Sequence, residues 1–334
     1  MRTVLVLRAL GLGDFLVAVP ALRGLRRRFP GHRIVLAAPA VLGPLAERCG
    51  AVDEVLPTTG LDALPWPHEH PPEVAVNLHG VGPESHRALD ATRPRQRIGL
   101  RAPGWAGPDW ADVTRGYRHE RERWCAVVEA FGVPAPPTDL AFRRRHAAAD
   151  HVVIHPGAAY GAKRWPVERF AAVAAHLERD GHPVVVTGSP SERPLAHEVA
   201  ALAGLPRDRV VAGDTDLGEL ADLVERAALV VCGDTGVAHL ATAVGTASVV
   251  LFGPVPPDRW GPPPGGAHVV LTDAGRRRGD PFADTPDPAL LGVGVDAVLG
   301  AACALLQARP PLTATGMHPS SDSATALHGG PPDG

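Results

Sequence analysis

From residue 3 to about residue 306 the chain alternates short apolar runs with glycine-closed turns and helix-length segments. The clearest unit begins at Leu229. Leu229 to Cys232 is apolar throughout, Gly233-Asp234-Thr235-Gly236 interrupts it, Val237 to Val244 suits a helix, and Ala247 to Phe252 is a second apolar run closed by Gly253-Pro254. Strands that read as continuous apolar runs are buried on both faces, and parallel strands need a helical crossover, so this order predicts strand, turn, helix and parallel strand. The same reading predicts strands at Thr3–Leu7, Ile34–Ala37, Glu54–Leu56, Val74–Leu78, His151–His155 and Val184–Thr187. It predicts helices at Phe15–Phe29, Val41–Cys49, Glu120–Phe131, Val167–Arg179, Gly218–Arg226 and Val295–Leu306, the first kinked or restarted at Pro20.

Repeated strand–helix alternation is the pattern of an α/β fold with parallel sheets, and 334 residues suffice for two domains of about 150 residues each. Val133 to Asp150, with three prolines and Arg143-Arg144-Arg145, reads as the linker between them. The expected division is 1–140, 141–309 and a disordered tail at 310–334, where Pro, Ser, Thr, Gly and His follow no period.

Two turns carry the chemistry. In Gly233-Asp234-Thr235-Gly236 the glycines let the backbone approach a ligand, and Thr235 offers a hydroxyl and an amide at a positively polarised helix start. Asp234 would repel phosphate but accepts hydrogen bonds from sugar hydroxyls. A plain helix cap by Asp234 or Thr235 is the competing reading. The first strand likewise ends in Gly11-Leu12-Gly13-Asp14, which lifts a carboxylate to the crevice edge; here too an N-cap is the alternative. This turn lacks the GxGxxG spacing of a dinucleotide site.

Asp234-Thr235-Gly236 with His239-Leu240-Ala241, Leu251-Phe252-Gly253-Pro254 and Trp260-Gly261-Pro262 resembles the signature of the heptosyltransferase family, glycosyltransferase family 9. Val4 to Arg8 with Gly11-Leu12-Gly13-Asp14, and His155-Pro156-Gly157 with Lys163-Arg164-Trp165-Pro166, match it in the same order. The resemblance implies the GT-B arrangement, two facing Rossmann-like domains, and an inverting, metal-independent transfer of heptose from an ADP-sugar to a lipopolysaccharide or related acceptor. It implies Asp14 as general base and Lys163, Glu192, Asp234, Thr235, Gly236 and His239 on the donor. His79 and Arg97 are the acceptor-side candidates. No metal or further cofactor is expected. The alternatives are a relative using another nucleotide sugar and a non-catalytic sugar-nucleotide-binding protein.

A net charge of −3 provides no global field for nucleic acid, and 45% hydrophobic residues fit an ordinary globular chain. Cys49, Cys125, Cys232 and Cys303 are far apart, with no CxxC pair, and read as buried thiols in a reducing compartment. No apolar run reaches the roughly 18–20 residues that span a bilayer, so the expectation is a cytoplasmic protein with at most peripheral membrane contact. His68-Glu69-His70 lies among prolines and reads as a surface loop, not a metal site. Arg93, Arg95, Arg97, Arg101, Arg115 and Arg118, with Trp105 and Trp110, form either an anion-binding cover over the acceptor or a solvated loop.

Overall fold

The computed structural model describes residues 2–61, 64–116, 119–147 and 149–308; the expected tail and Arg118 lie outside them. Ten parallel strands form two five-stranded sheets. The first contains β1 (Thr3–Leu7), β2 (Arg33–Ala38), β3 (Glu54–Pro57), β4 (Val74–Asn77) and β5 (Gln96–Ile98), in the order β3-β2-β1-β4-β5. The second contains β6 (Val152–His155), β7 (Val184–Val186), β8 (Leu229–Gly233), β9 (Ser248–Leu251) and β10 (His268–Leu271), in the order β10-β9-β8-β6-β7. Around the first sheet lie α1 (Leu12–Arg28), α2 (Gly43–Arg48), α3 (Pro83–Asp90), α4 (Trp110–Gly116) and α5 (Glu120–Glu129). Around the second lie α6 (Val167–Arg179), α7 (Arg193–Ala203), α8 (Leu217–Arg226), α9 (Gly236–Val244), α10 (Pro257–Trp260), α11 (Pro288–Leu291) and α12 (Val295–Gln307).

In each sheet the strand order reverses direction once, between β1 and β4 and between β6 and β8. Ligands of doubly wound sheets bind outside the carboxyl ends of strands at that reversal. Arg8, Asp14 and His79 follow β1 and β4. His155, Gly157, Asp234, Thr235 and Gly236 stand at the ends of β6 and β8 or follow them.

Helix α1 starts at Leu12, one turn earlier than its apolar pattern alone predicts, with Gly11 as its cap residue and no side-chain cap. Asp14 is therefore inside the first turn and does not cap the helix. The helix continues through Pro20, which removes the bond that an amide there would give Leu16. A β-carbon added at Gly24 would lie 2.8 Å from the Pro134 carbonyl, so the helix rests directly on the connecting segment.

Apolar burial couples the halves. Leu16, Val17 and Leu25 of α1 and Val237, Leu240 and Val244 of α9 belong to one core that also includes Val153, Val230 and Val250 from the second sheet. Val152, Ile154, Val231 and Val249 point to the opposite face and pack with α6 and α12. The sequence leaves α12 free to cross back to the first half, but it lies on the second sheet's outer face against α6, β9 and β10. Its Val298 and Ala302 are fully buried there.

Charged ties reinforce the junction. Arg48 of α2 donates to Asp222 of α8 at 2.7 Å and pairs with fully buried Glu225, whose carboxylate also accepts from the amides of Arg145 and His146. His119, the cap residue of α5, accepts from the Arg121 amide at Nδ1, so its Nε2–H donates to the Gly261 carbonyl 2.9 Å away.

Candidate functional site

The glycine turns of the two halves meet tip to tip. A β-carbon on Gly236 would lie 2.8 Å from Leu12 Cβ, and one on Gly13 would lie 3.1 Å from His239 Cδ2. Side-chain atoms at either glycine would push the helices apart, so their absence lets the turn that carries Asp14 abut the Asp234-Thr235-Gly236 turn. The cleft beside this junction has a volume of about 670 Å³ and is lined by Leu12, Val41 and Pro44 from the first half. From the second half it is lined by His155, Gly188, Ser189, Glu192, Thr215, Asp216, Gly236 and Val237. Cofactor- and substrate-sized ligands occupy clefts of about 300–1,000 Å³.

On the first wall, buried Arg8 locks the turn. Its guanidinium donates to the Asp14 carbonyl at 3.0 Å and to Asp14 Oδ1 at 3.2 Å, and it also reaches the Leu78 carbonyl at the end of β4. It stacks over Trp124 at 4.5 Å. Burial pulls the Arg8 pKa down to about 10 against the opposing pull of Asp14, which leaves it cationic at neutral pH. The Asp14 side chain keeps 35% of its surface open. His79 stands beside this pair, with its amide on Asn77 Oδ1 at 3.0 Å and its Nδ1 buried without a partner. Burial, then the Arg8 charge, lowers its pKa, which favours a neutral ring.

On the second wall, Lys163 Nζ donates to Asp234 Oδ2 at 2.7 Å. Asp234 is 6% exposed, and burial raises its pKa although Lys163 opposes that shift. The Lys163 turn is braced from behind: the Ala162 amide donates to the Ala283 carbonyl, and the Asp287 amide to the Ala162 carbonyl. Thr235 occupies the cap position of α9, yet its side chain makes no capping bond and its buried Oγ1 has no partner. The plain-cap reading therefore fails for Thr235, and a hydroxyl and the free amides of α9 remain for a ligand.

Glu192 closes the far end. Its carboxylate accepts from the Ser189 amide at 2.8 Å and occupies the space that a side chain on Gly157 would fill. His155, buried beneath, shares a 3.0 Å hydrogen bond with Thr187, and burial lowers its pKa. Trp165 packs as a wedge, with Nε1 on the Val293 carbonyl and its ring edge-on to Phe170.

Of the expected site residues, Glu192 and Gly236 line the cleft itself; Asp14, Asp234 and Thr235 belong to the turns at its edge, Lys163 is bonded to Asp234, and His79, His239 and Arg97 lie outside the lining. His239 does not line the cleft; it is packed between Gly13 and Trp260, where burial lowers its pKa to about 3. Arg97 is held by Asp90 at 2.7 Å, and Trp105, also bonded to Asp90, is buried. Arg101 pairs with Asp109, so these two arginines bind carboxylates of their own segment. The His68 loop brings together His68 and Glu54 at 3.7 Å but no third ligand among the described residues. Sequence reasoning did not single out Arg8, His119 or Arg121. A basic residue at the end of an apolar strand was the available signal for Arg8, but its burial depends on Trp124 more than a hundred residues away.

Residues 112–277 match the family model of glycosyltransferase family 9 (heptosyltransferase). The chain has no match among curated protein sequences. Its fold is that of Escherichia coli ADP-heptose LPS heptosyltransferase II, with a TM-score of 0.74, 21% identity and coverage of 92% of this chain and 99% of that one. A family 9 glycosyl transferase from Veillonella parvula is similar at 0.76 and 22% identity, covering 92% and 97%. E. coli heptosyltransferase WaaC, solved with ADP-2-deoxy-2-fluoro heptose, scores 0.66 at 17% identity, covering 90% and 99%. This chain is accordingly a glycosyltransferase of family 9, with the GT-B fold.

Proposed function

We propose that this family 9 glycosyltransferase is an inverting enzyme that moves a sugar, heptose as the leading assignment, from an ADP-sugar to a hydroxyl of a cell-envelope or natural-product acceptor without a metal. The supporting observation is the tip-to-tip contact of the two glycine turns, which sets the turn that carries Asp14 against the anion-receptive start of α9 at the edge of the cleft.

In this reading the diphosphate lies at the start of α9, against the amides after Thr235 and the Thr235 hydroxyl. Lys163 shares its charge between Asp234 and the phosphate oxygens. Glu192 and Asp234 accept from sugar or ribose hydroxyls. His239 acts from behind, by holding Gly13 and the α9 turn in register. The acceptor hydroxyl attacks the anomeric carbon from the Asp14 side, its proton passes to the Asp14 carboxylate, and the breaking C–O bond leaves its electrons on the nucleoside diphosphate. Arg8 fixes the direction of that carboxylate, and His79 stands beside both. Among the described residues no helix is long and apolar enough to cross a membrane, so a lipid-linked acceptor is met at the surface of its bilayer.

Incubation with ADP-heptose and a panel of acceptors should release ADP. Asp14→Asn should retain donor binding and lose about 10²–10⁴-fold in turnover, the usual contribution of a positioned base. Normal turnover by Asp14→Asn would refute the assignment. Melting shifts with several nucleoside diphosphates test the donor, because the tightest binder raises Tm most.

A further inference from the structure

On the outer face of the second sheet, away from the cleft, three potential metal ligands of different chemistry converge. His176 is in the last turn of α6 and Asp180 is its cap residue, one turn apart, with Nε2 3.2 Å from Oδ2. Cys303 comes from the neighbouring helix α12. One nitrogen, one oxygen and one sulfur from these residues lie within 4.8 Å of one another, the one such group among the described residues. Cys49, Cys125 and Cys232 are buried, whereas Cys303 is half-exposed, so its thiol is open to an ion from solvent.

We propose that His176, Asp180 and Cys303 form a binding site for a divalent transition metal, zinc above all, that clasps α12 to α6. Imidazole, carboxylate and thiolate are all zinc ligands, and three protein ligands with water in the fourth position form a complete tetrahedral set. Bonds of about 2.0–2.3 Å require ligand atoms about 3.3–3.8 Å apart. The His176–Asp180 pair, at 3.2 Å, is already close to that spacing, and side chains that keep part of their surface open on two packed helices have the freedom to bring in the sulfur. The last carbonyls of α6 make this end of the helix negative, which favours a cation over the like-charged pair of carboxylate and thiolate. Binding replaces the thiol proton: the S–H bond breaks, the sulfur electron pair goes to the metal and the proton goes to solvent, so affinity rises with pH. The clasp takes no part in sugar transfer. It holds in place the last described helix, which covers the second sheet.

The test uses the full chain, reduced, stripped with a chelator and titrated with cobalt(II). A sulfur-to-cobalt charge-transfer band should grow to one equivalent and be displaced by zinc. Cys303→Ser should abolish the band. His176→Ala and Asp180→Ala should each weaken binding by about tenfold or more, at least the 10–100-fold typical of lost outer-shell partners. Zinc should raise the Tm of the unaltered chain and leave that of Cys303→Ser unchanged. Each variant's metal-free Tm shows that it folds, since none of the three side chains is fully buried. Absence of the band, or a band that persists at full strength in His176→Ala and Asp180→Ala, would overturn the proposal. Because the site lies away from the cleft, its failure would leave ADP release by the enzyme untouched.

Discussion

Gly157 and Glu192 provide a way to test donor recognition without touching the reacting groups. Gly157 has no left-handed backbone angle, so alanine suits its main chain, but the new β-carbon would overlap the Glu192 carboxylate. The obstructed atoms are the free end of a flexible side chain. The expected response of Gly157→Ala is therefore a swing of Glu192 out of the cleft, with its bond to the Ser189 amide exchanged for water. Stability should change little. Hydrogen bonds to a charged group contribute about 1.5–3 kcal/mol, so loss of the carboxylate from the ligand should raise the donor KM or the ADP Kd by about 10–100-fold. ADP release against donor concentration and calorimetric ADP binding read this directly. The double variant provides the strict control: in a Glu192→Ala background nothing remains for the new β-carbon to displace, so Gly157→Ala should add almost nothing. Additive losses in the double variant, or unchanged donor affinity in Glu192→Ala, would refute the assignment of Glu192 to the donor.

Acid should weaken the junction between the halves. His119 and His239 are buried there with pKa values of about 4 and about 3, below the ordinary 6.5. The unfolded chain thus binds more protons between those values, so their stabilising contribution is complete above pH 6.5 and declines as pH falls. By pH 5 the loss is about 2 kcal/mol for each histidine. Urea midpoints measured from pH 7 to 5 should fall accordingly, with a shallower slope in His239→Gln. Gly24→Ala should destabilise by about 1–2 kcal/mol, because overpacking against Pro134 exceeds the helix-propensity gain; denaturant midpoints check it. Thr235→Val should fold normally and weaken ADP binding, since the hydroxyl it removes has no partner in the protein. Glu225→Gln leaves Arg48 with Asp222 as its remaining carboxylate and replaces a charged acceptor of the Arg145 and His146 amides by a neutral one; it should cost about 1.5–3 kcal/mol in thermal unfolding.

The strands most legible in the sequence were the apolar runs closed by turn residues, with the edge strands β3 and β7 among those predicted. β1, β6 and β8 are continuous apolar runs at the centres of their sheets and were readable to within a residue. β5, with the sequence Gln-Arg-Ile, has a single apolar residue, and β10, half-buried throughout, follows a run of prolines and glycines at 262–266, so neither stood out from loop. Helix α3 begins at Pro83 and carries Glu84, Ser85, His86 and Arg87, so its inward face was hidden until Asn77 and Trp105 supplied partners. The turns bearing Asp14 and Asp234 were visible as glycine-flanked carboxylates at strand ends. Their meeting was not, because it depends on the absence of β-carbons at Gly13 and Gly236, and no local pattern reports what stands opposite a glycine. The arginine-rich segment stayed ambiguous for the opposite reason: charge density was evident, but the carboxylates that hold Arg97 and Arg101 lie seven and eight residues away.

The touching helix tips also constrain how the enzyme can open. A hinge whose fulcrum sits at the bottom of the active gap widens the outer mouth by many times the displacement it imposes at the pivot. Rolling about the Gly13–His239 and Gly236–Leu12 abutment would widen the mouth of the cleft while the separation of the two turns stays nearly constant. Under the proposed assignment of Asp14, substrate traffic and catalytic alignment would sit at opposite ends of the same lever.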